Sequence, residues 1–266
     1  MAIPPSQAGG TAQNRALLEA AVQSLGSDVL AMQEVDHFLP RTGMSSQTQE
    51  IAYAMSAPFW AFAPSVVGTP GEQWRKLHGD EQRLVTHENF SKESELGTYG
   101  IAIASKIPVI SFNRLDLGRS PIGLPLVVPG DETGRGRPRF IYVKDEPRVA
   151  LAATLNNGWT VINTHLSFAP GLNLLQLKRL KKWALKIGAE THTRVLIVGD
   201  LNLPKNLPIA ASNWKSLVTR NTYPSWGSKI QFDYILTPEA DLDFTVQTYA
   251  PTGVSDHLPI GVRISQ

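Results

Sequence analysis

Apolar residues along the chain follow two rhythms. Leu17, Leu18, Val22 and Leu25 fall on one face at helical spacing and predict a helix over residues 14–25, closed by Gly26. A short buried strand follows over 28–36, then a helix that includes 51–55. The aromatic residues Phe59, Trp60 and Phe62 are placed partly in the core. Strand patterns return at 101–104 and at 148–155. The latter ends in Asn156-Asn157-Gly158, a tight-turn signal, and doubles back over 159–167. The clearest helix covers 172–187, with Leu174, Leu177, Lys181 and residues 183–185 bracketing its apolar side. Residues 195–198 form a sealed strand rich in β-branched side chains. A short helix is expected within 207–217, and strands over 230–236 and 260–264 complete the pattern.

Several of these apolar runs end in polar, chemically useful groups. The run at 195–198 leads into Gly199-Asp200-Leu201-Asn202. If the chain stays extended there, Asp200 and Asn202 leave on one face, able to orient a water and steady an anion; a simple turn cap accounts for the pair equally well. The strand at 28–36 ends in Gln33 and Glu34. A carboxylate there needs either a cation or a salt-bridge partner. Asn163 and His165 close the return strand with period two. Asp233 is flanked by Phe232 and Tyr234, and Asp256 stands beside His257 before the last strand. Each has an ordinary reading, such as a satisfied core histidine or a buried ion pair. Five strand edges ending this way point together to a site.

Composition narrows the chemistry. The 266 residues, 42% of them hydrophobic, are enough for one large core, and the chain is expected to form a loose segment at 1–13 and a single domain over 14–266. With no cysteine there is neither disulfide nor thiolate, so any metal must be held by oxygen and nitrogen. The net charge of +2 does not by itself call for nucleic acid. The densest basic stretch holds Arg135, Arg137 and Arg139, a possible phosphate contact set against a solvated loop beside Asp131 and Glu132. His78 and His87 lack a mutual ligand spacing. No run is apolar enough to span a bilayer and no signal peptide is evident, which fits the cytoplasm and, equally, a processed secreted chain.

From residue 17 to 264, the ordered set Met32-Gln33-Glu34-Val35-Asp36, Tyr99-Gly100 through Ser105-Lys106, Asn163-Thr164-His165-Leu166, Gly199-Asp200-Leu201-Asn202, Phe232-Asp233-Tyr234-Ile235 and Ser255-Asp256-His257-Leu258-Pro259 resembles the endonuclease/exonuclease/phosphatase superfamily. The resemblance implies an α+β, four-layer sandwich: two packed, mainly antiparallel sheets flanked by helices, with the site at one end. It implies Glu34 as principal magnesium ligand and Asp256 near the metal. Asp200 would orient or deprotonate water, with Asn202 helping to place it. Asp233 would hold His257 against a phosphate oxygen, and His165 would also face the phosphate. Mg2+ is the expected cofactor, with Mn2+ as substitute.

Two features depart from the family pattern. Members open with a core strand ending in asparagine before the first helix, whereas this chain opens with Met1-Ala2-Ile3-Pro4-Pro5, and Asn14 is a poor substitute. Ile101 stands where many members carry asparagine. The resulting expectation is a monomeric Mg2+-dependent phosphodiesterase or nuclease using in-line water attack, with a phosphoester substrate, nucleic acid among the options, and no obligate protein partner. The alternatives are a phosphomonoesterase of the same superfamily and a non-catalytic binding module on the same fold.

Overall fold

The computed structural model describes residues 11–92, 96–128 and 139–265. Helix α1 (Thr11–Leu25) leads into strand β1 (Val29–His37). Helix α2 (Gln47–Met55) follows, its first turn capped by the Ser46 hydroxyl, which accepts from the Gln49 N–H. Strands β2 (Phe59–Gly68), β3 (Trp74–Arg75), β4 (Val85–Thr86) and β5 (Thr98–Ser105) complete a first sheet in the order β1-β5-β2-β3, with β4 also on β2.

The second sheet starts with β6 (Val109–Gly118), after which β7 (Leu124–Val128) and β8 (Arg139–Val143) pair as a separate hairpin. It continues through β9 (Arg148–Leu155), β10 (Trp159–His165), helix α3 (Leu172–Thr191), β11 (Arg194–Asp200), β12 (Lys215–Ser216) and β13 (Asp233–Thr237). Its order is β12-β13-β11-β10-β9-β6. Among the described residues, strands β14 (Phe244–Thr248) and β15 (Ile260–Ile264) pair with each other alone. Among the described residues, every strand pair is antiparallel except β10–β11, the two strands that α3 connects.

Strand alternation sorts the core into layers. From β9, Val149, Leu151 and Ala153 point at the first sheet and meet Ala61, Ala63, Ile101 and Ile103, while Ala150 and Ala152 point outward to Leu177, Leu180 and Ala184 of α3. On the opposite outer face, Leu18 and Val22 of α1 and Ile51 and Met55 of α2 cover Met32, Phe62 and Ala102. The order helix, sheet, sheet, helix is the expected α+β sandwich. Small residues such as Ala61, Ala63 and Ala153 let the sheets approach closely, and all three are fully buried.

Local differences from the sequence reading have identifiable causes. The first helix begins at Thr11 rather than 14, and the loose segment expected at 1–13 lies, for residues 1–10, outside the described residues. The aromatic run at 59–62 belongs to a full strand, β2. The buried side of α3 consists of Asn173, Gln176, Leu177, Leu180, Ala184 and Ile187, whereas Leu174 and Leu185 are exposed. No helix forms within 207–217. Pro208 has no N–H to donate, Ala211 sits at φ 50, and the segment makes successive turns instead, such as Ile209 N–H to Asn206 O at 3.1 Å. Arg135 and Arg137 lie outside the described residues.

Candidate active site

Three neighbouring strands of the second sheet end at the same level. Parallel pairing sets His165 of β10 beside Asp200 of β11, and antiparallel pairing sets Asp200 opposite Asp233 of β13. Gly199 makes this alignment possible. It sits at φ 126, and a Cβ there would lie 2.0 Å from the Thr164 carbonyl oxygen. Of the two readings of Asp200 and Asn202, an extended pair or a turn cap, the structure shows the turn. The strand stops at Asp200, Asn202 takes φ 48, and its N–H donates to Asp200 Oδ1 at 2.8 Å. The Asn202 carboxamide then donates to the Leu166 carbonyl at 3.0 Å, tying the segment after His165 to the segment after Asp200.

His257 arrives from the loop before β15. Its Nδ1 lies 2.7 Å from Asp233 Oδ2, and its Nε2 lies 3.9 Å from Asp200 Oδ2. Burial alone would lower this imidazole's pKa, but the hydrogen bond and charge of Asp233, with Asp200 and Asp256 nearby, carry it up to about 9. Asp200 moves the other way from an ordinary carboxylate. Burial first, and then the charge of Asp233, raise it to about 7 against the opposing pull of His257 and the Asn202 N–H. It is therefore a better base near neutrality than an aspartate at its usual value. His165 Nε2 is 3.5 Å from Asp200 Oδ2, yet this is no ion pair: burial, followed by the charges of Arg148 and His257, holds His165 far below its normal pKa and leaves it neutral.

Glu34 reaches the same cavity from the first sheet. Between Met32 and Val35 the pairing of β1 with β5 shifts by one residue, and Glu34 stands in this bulge at φ 57, an uncommon backbone state for a residue with a side chain. The bulge is anchored from the other sheet. The buried Asn163 carboxamide donates to Met32 O at 2.8 Å and Ala102 O at 2.9 Å, and accepts from Gln33 Nε2 at 2.7 Å. Asn163 thus sets where Glu34 emerges, a role its place two residues before His165 did not reveal.

Glu34, His165, Asp200, Asp233, Asp256 and His257 line one cavity of 1010 Å3. The charge of Glu34 contributes to raising both Asp200 and Asp256, the latter after burial. Asp256 is held by its backbone, whose carbonyl accepts from Ser225 N–H at 2.7 Å. The Tyr223 ring lies 4.9 Å from the His257 ring, a contact that the sequence reading missed. Among the described residues, no three His, Asp or Glu side chains are gathered closely enough to hold a metal ion. None of the helices among those residues is long and apolar enough to cross a membrane.

This architecture is a DNase I-like sandwich, the fold of a superfamily of generally hydrolytic phosphoesterases. The profile of the Endonuclease/Exonuclease/phosphatase family matches residues 5–257, and the chain belongs to that family. Among curated proteins none matches the sequence. Solved structures share the fold at low identity. The mannosyl-6-phosphatase Bt3783 of Bacteroides thetaiotaomicron is 12% identical with a TM-score of 0.57, over 97% of this chain and 92% of that one. A truncated TDP2 of Caenorhabditis elegans is 14% identical with a TM-score of 0.55, over 98% and 94%. The human Nocturnin catalytic domain, with bound sulfate anion, is 13% identical with a TM-score of 0.56, over 96% and 87%.

Proposed function

We propose that the protein is a divalent-cation-dependent phosphoester hydrolase, acting on a phosphodiester by in-line attack of water. The observation that carries this reading is the Asp200–His257–Asp233 arrangement, a raised carboxylate beside an imidazolium fixed by a second carboxylate. Asp200 takes the proton from the attacking water. Its Oδ1 is already held by the Asn202 N–H, so the carboxylate is oriented before substrate arrives. His257, positively charged near neutral pH, donates from Nε2 to a phosphoryl oxygen as negative charge accumulates there. Asp233 holds the ring and stabilises its charge. Neutral His165 offers an N–H to the phosphate without repelling the proton that Asp200 accepts.

The donor set suits a hard cation. Glu34 and Asp256 present only carboxylate oxygens, line the same cavity as Asp200, and feel each other's charge. They would hold Mg2+, with Mn2+ as substitute, although the described residues do not close a three-ligand set around it. Bound there, the cation would polarise a phosphoryl oxygen and offset charge on the leaving group. The deciding experiment is a phosphate-release and chain-cleavage screen over nucleic acids, phospholipids and phosphorylated sugars, with Mg2+ or Mn2+ and with chelator. Cleavage that requires the cation and disappears in Asp200→Ala supports the reading. Binding without turnover across all three substrate classes replaces it with a non-catalytic module.

A further inference from the structure

Two arginines lie over neighbouring aromatic rings at the catalytic end, one carried by each sheet. Arg41, in the loop after β1, has its Cζ 5.8 Å from the centre of the Tyr99 ring. Arg119, just past the end of β6, stands 5.9 Å from the centre of the Trp74 ring. Trp74 packs against the apolar cluster that holds Tyr99, Leu39 and Val66. Register fixes the level of these groups. Tyr99 pairs with Asp36, two residues beyond Glu34. Trp74 pairs with Gly68, next to Val67, and Val67 shares Thr98 as a partner with His37. From the second sheet, Gly118 pairs with Arg148, two residues before the Ala150–Thr164 pair along β9, and so lies level with the segment just after His165. Ser120 then donates its N–H to Asp145 Oδ2 at 2.6 Å, and the Ser167 hydroxyl donates to the same oxygen at 2.8 Å. Arg119 is thereby fixed beside the reacting centre.

Arg119 differs from the arginines around it. Arg41 is paired with Asp36, Arg75 with Glu81, Arg114 with Asp116, and Arg148 with Asp145 and Glu146. Among the described residues Arg119 has no carboxylate partner. Besides the Trp74 ring, its polar contact is a 3.3 Å hydrogen bond donated from Nη1 to the Ser120 carbonyl. A half-buried guanidinium in that state keeps unused donors and a charge that no acid offsets, so its natural complement is a bound anion. Arg41 commits Nε and Nη2 to Asp36 and keeps Nη1 for a further acceptor. We propose that Arg119, with Arg41 as its neighbour, binds a second, non-reacting phosphate of the substrate. The inference rests on the phosphoester-hydrolase reading of the site. The reacting phosphate sits at Asp200 and His257, and the second lies beyond Glu34, toward Trp74. The preferred substrate therefore carries at least two phosphates. The arginine fork matches phosphate oxygens, and a ring beneath it limits the freedom lost on binding. An adjacent backbone phosphate of an oligonucleotide and the second phosphate of a small bisphosphate offer the same chemistry there.

The test compares the unmutated protein with Arg119→Ala on three compounds in Mg2+: bis(p-nitrophenyl) phosphate, which has one phosphate, a trinucleotide, and a sugar bisphosphate. Relative to the single-phosphate compound, kcat/KM for one of the other two is expected to fall at least about tenfold in the variant, mainly through KM, as one charge-assisted hydrogen bond is lost. Which of the two falls identifies the source of the second phosphate. Arg119→Lys keeps the charge without the fork, gives a smaller fall, and serves in place of the alanine variant should circular dichroism show that one misfolded. A second measurement does not depend on catalysis. Calorimetry with inorganic pyrophosphate, in the presence of chelator, is expected to show binding that weakens at least about fivefold in Arg119→Ala. That weakening in a protein that cleaves none of the three compounds would end the hydrolase reading and keep the subsite. The proposal is overturned by equal losses on all three compounds, by no loss on either compound with two phosphates, or by pyrophosphate binding that is absent or that Arg119→Ala leaves intact.

Discussion

Replacing Asn163 with leucine is the sharpest single perturbation of the site, because that carboxamide joins the two sheets at the bulge carrying Glu34. Leucine keeps the branched four-atom side-chain skeleton but is bulkier, so the change removes the hydrogen bonds and adds some crowding. The Met32 and Ala102 carbonyls each lose a donor, and Gln33 loses its acceptor at Asn163. Asn163 is fully buried, so water does not replace what is lost. Each unsatisfied buried carbonyl costs roughly 1–3 kcal/mol, giving a loss of about 4 kcal/mol for the pair against a typical total stability of about 5–15 kcal/mol. Gln33→Met takes the third bond from the Asn163 carboxamide but leaves both carbonyls their donor, so it should cost less than Asn163→Leu. Urea unfolding at pH 7 measures both. A loss below about 1 kcal/mol for Asn163→Leu, or equal losses for the two variants, would refute the claim that this amide pins the bulge.

Three further outcomes follow from named contacts. Asp200→Asn should lower turnover about 10²–10⁴-fold in a steady-state assay yet leave thermal stability unchanged or raised, since Asp200 sits directly opposite Asp233 in register; a large fall in melting temperature would contradict this. Asp233→Asn should lower turnover about 10²-fold by releasing the imidazolium it holds, and kinetics matching the unmutated protein would dismiss the pairing as ornamental. His37 is enclosed by Phe38, Phe62 and Phe90, and burial lowers its pKa to about 4. Because the folded value lies below the unfolded one, its contribution to stability is complete above about pH 6.5 and is lost as the pH falls toward 4. Between pH 7 and pH 5 this amounts to about 2 kcal/mol, so His37→Phe should lose that much less stability over the interval in urea titrations.

The site was largely legible in the sequence because its residues stand where apolar strands stop. A run such as 195–198 must be buried, so the first polar group after it is forced to a sheet end, and parallel or antiparallel neighbours bring such ends to one level. Local rules also carried the layers, since period two in β9 and the helical stripe of α3 are properties of adjacent residues. What stayed hidden depends on distant partners. Nothing near Asn163 in the chain announces that its amide meets Met32, 131 positions away. The raised pKa of Asp200 arises from the placement of Asp233, which only sheet register reveals. The segment at 207–217 misled for a different reason: its apolar residues suit a short helix, but the chain there makes successive turns and Ala211 takes φ 50, outside the helical range.

The electrostatic arrangement also explains why the chemistry sits on this part of the fold. Two aspartates opposite each other at a sheet end, one of them raised to about 7, are unfavourable in a resting protein, and nothing in the packing requires them there. His257 offsets part of that repulsion, but it bonds Asp233 at 2.7 Å while standing 3.9 Å from Asp200. The compensation is therefore unequal, and the inequality separates the roles: Asp233 is committed to the ring, whereas Asp200 keeps an oxygen and a raised proton affinity for a water. Glu34, delivered from the other sheet by a strained bulge, adds negative charge to the same space rather than relieving it. A cluster with that balance suits a cationic partner: under the proposed function, Glu34 and Asp256 would hold a divalent ion whose positive charge offsets theirs, and the Asp200 oxygen would remain for the water.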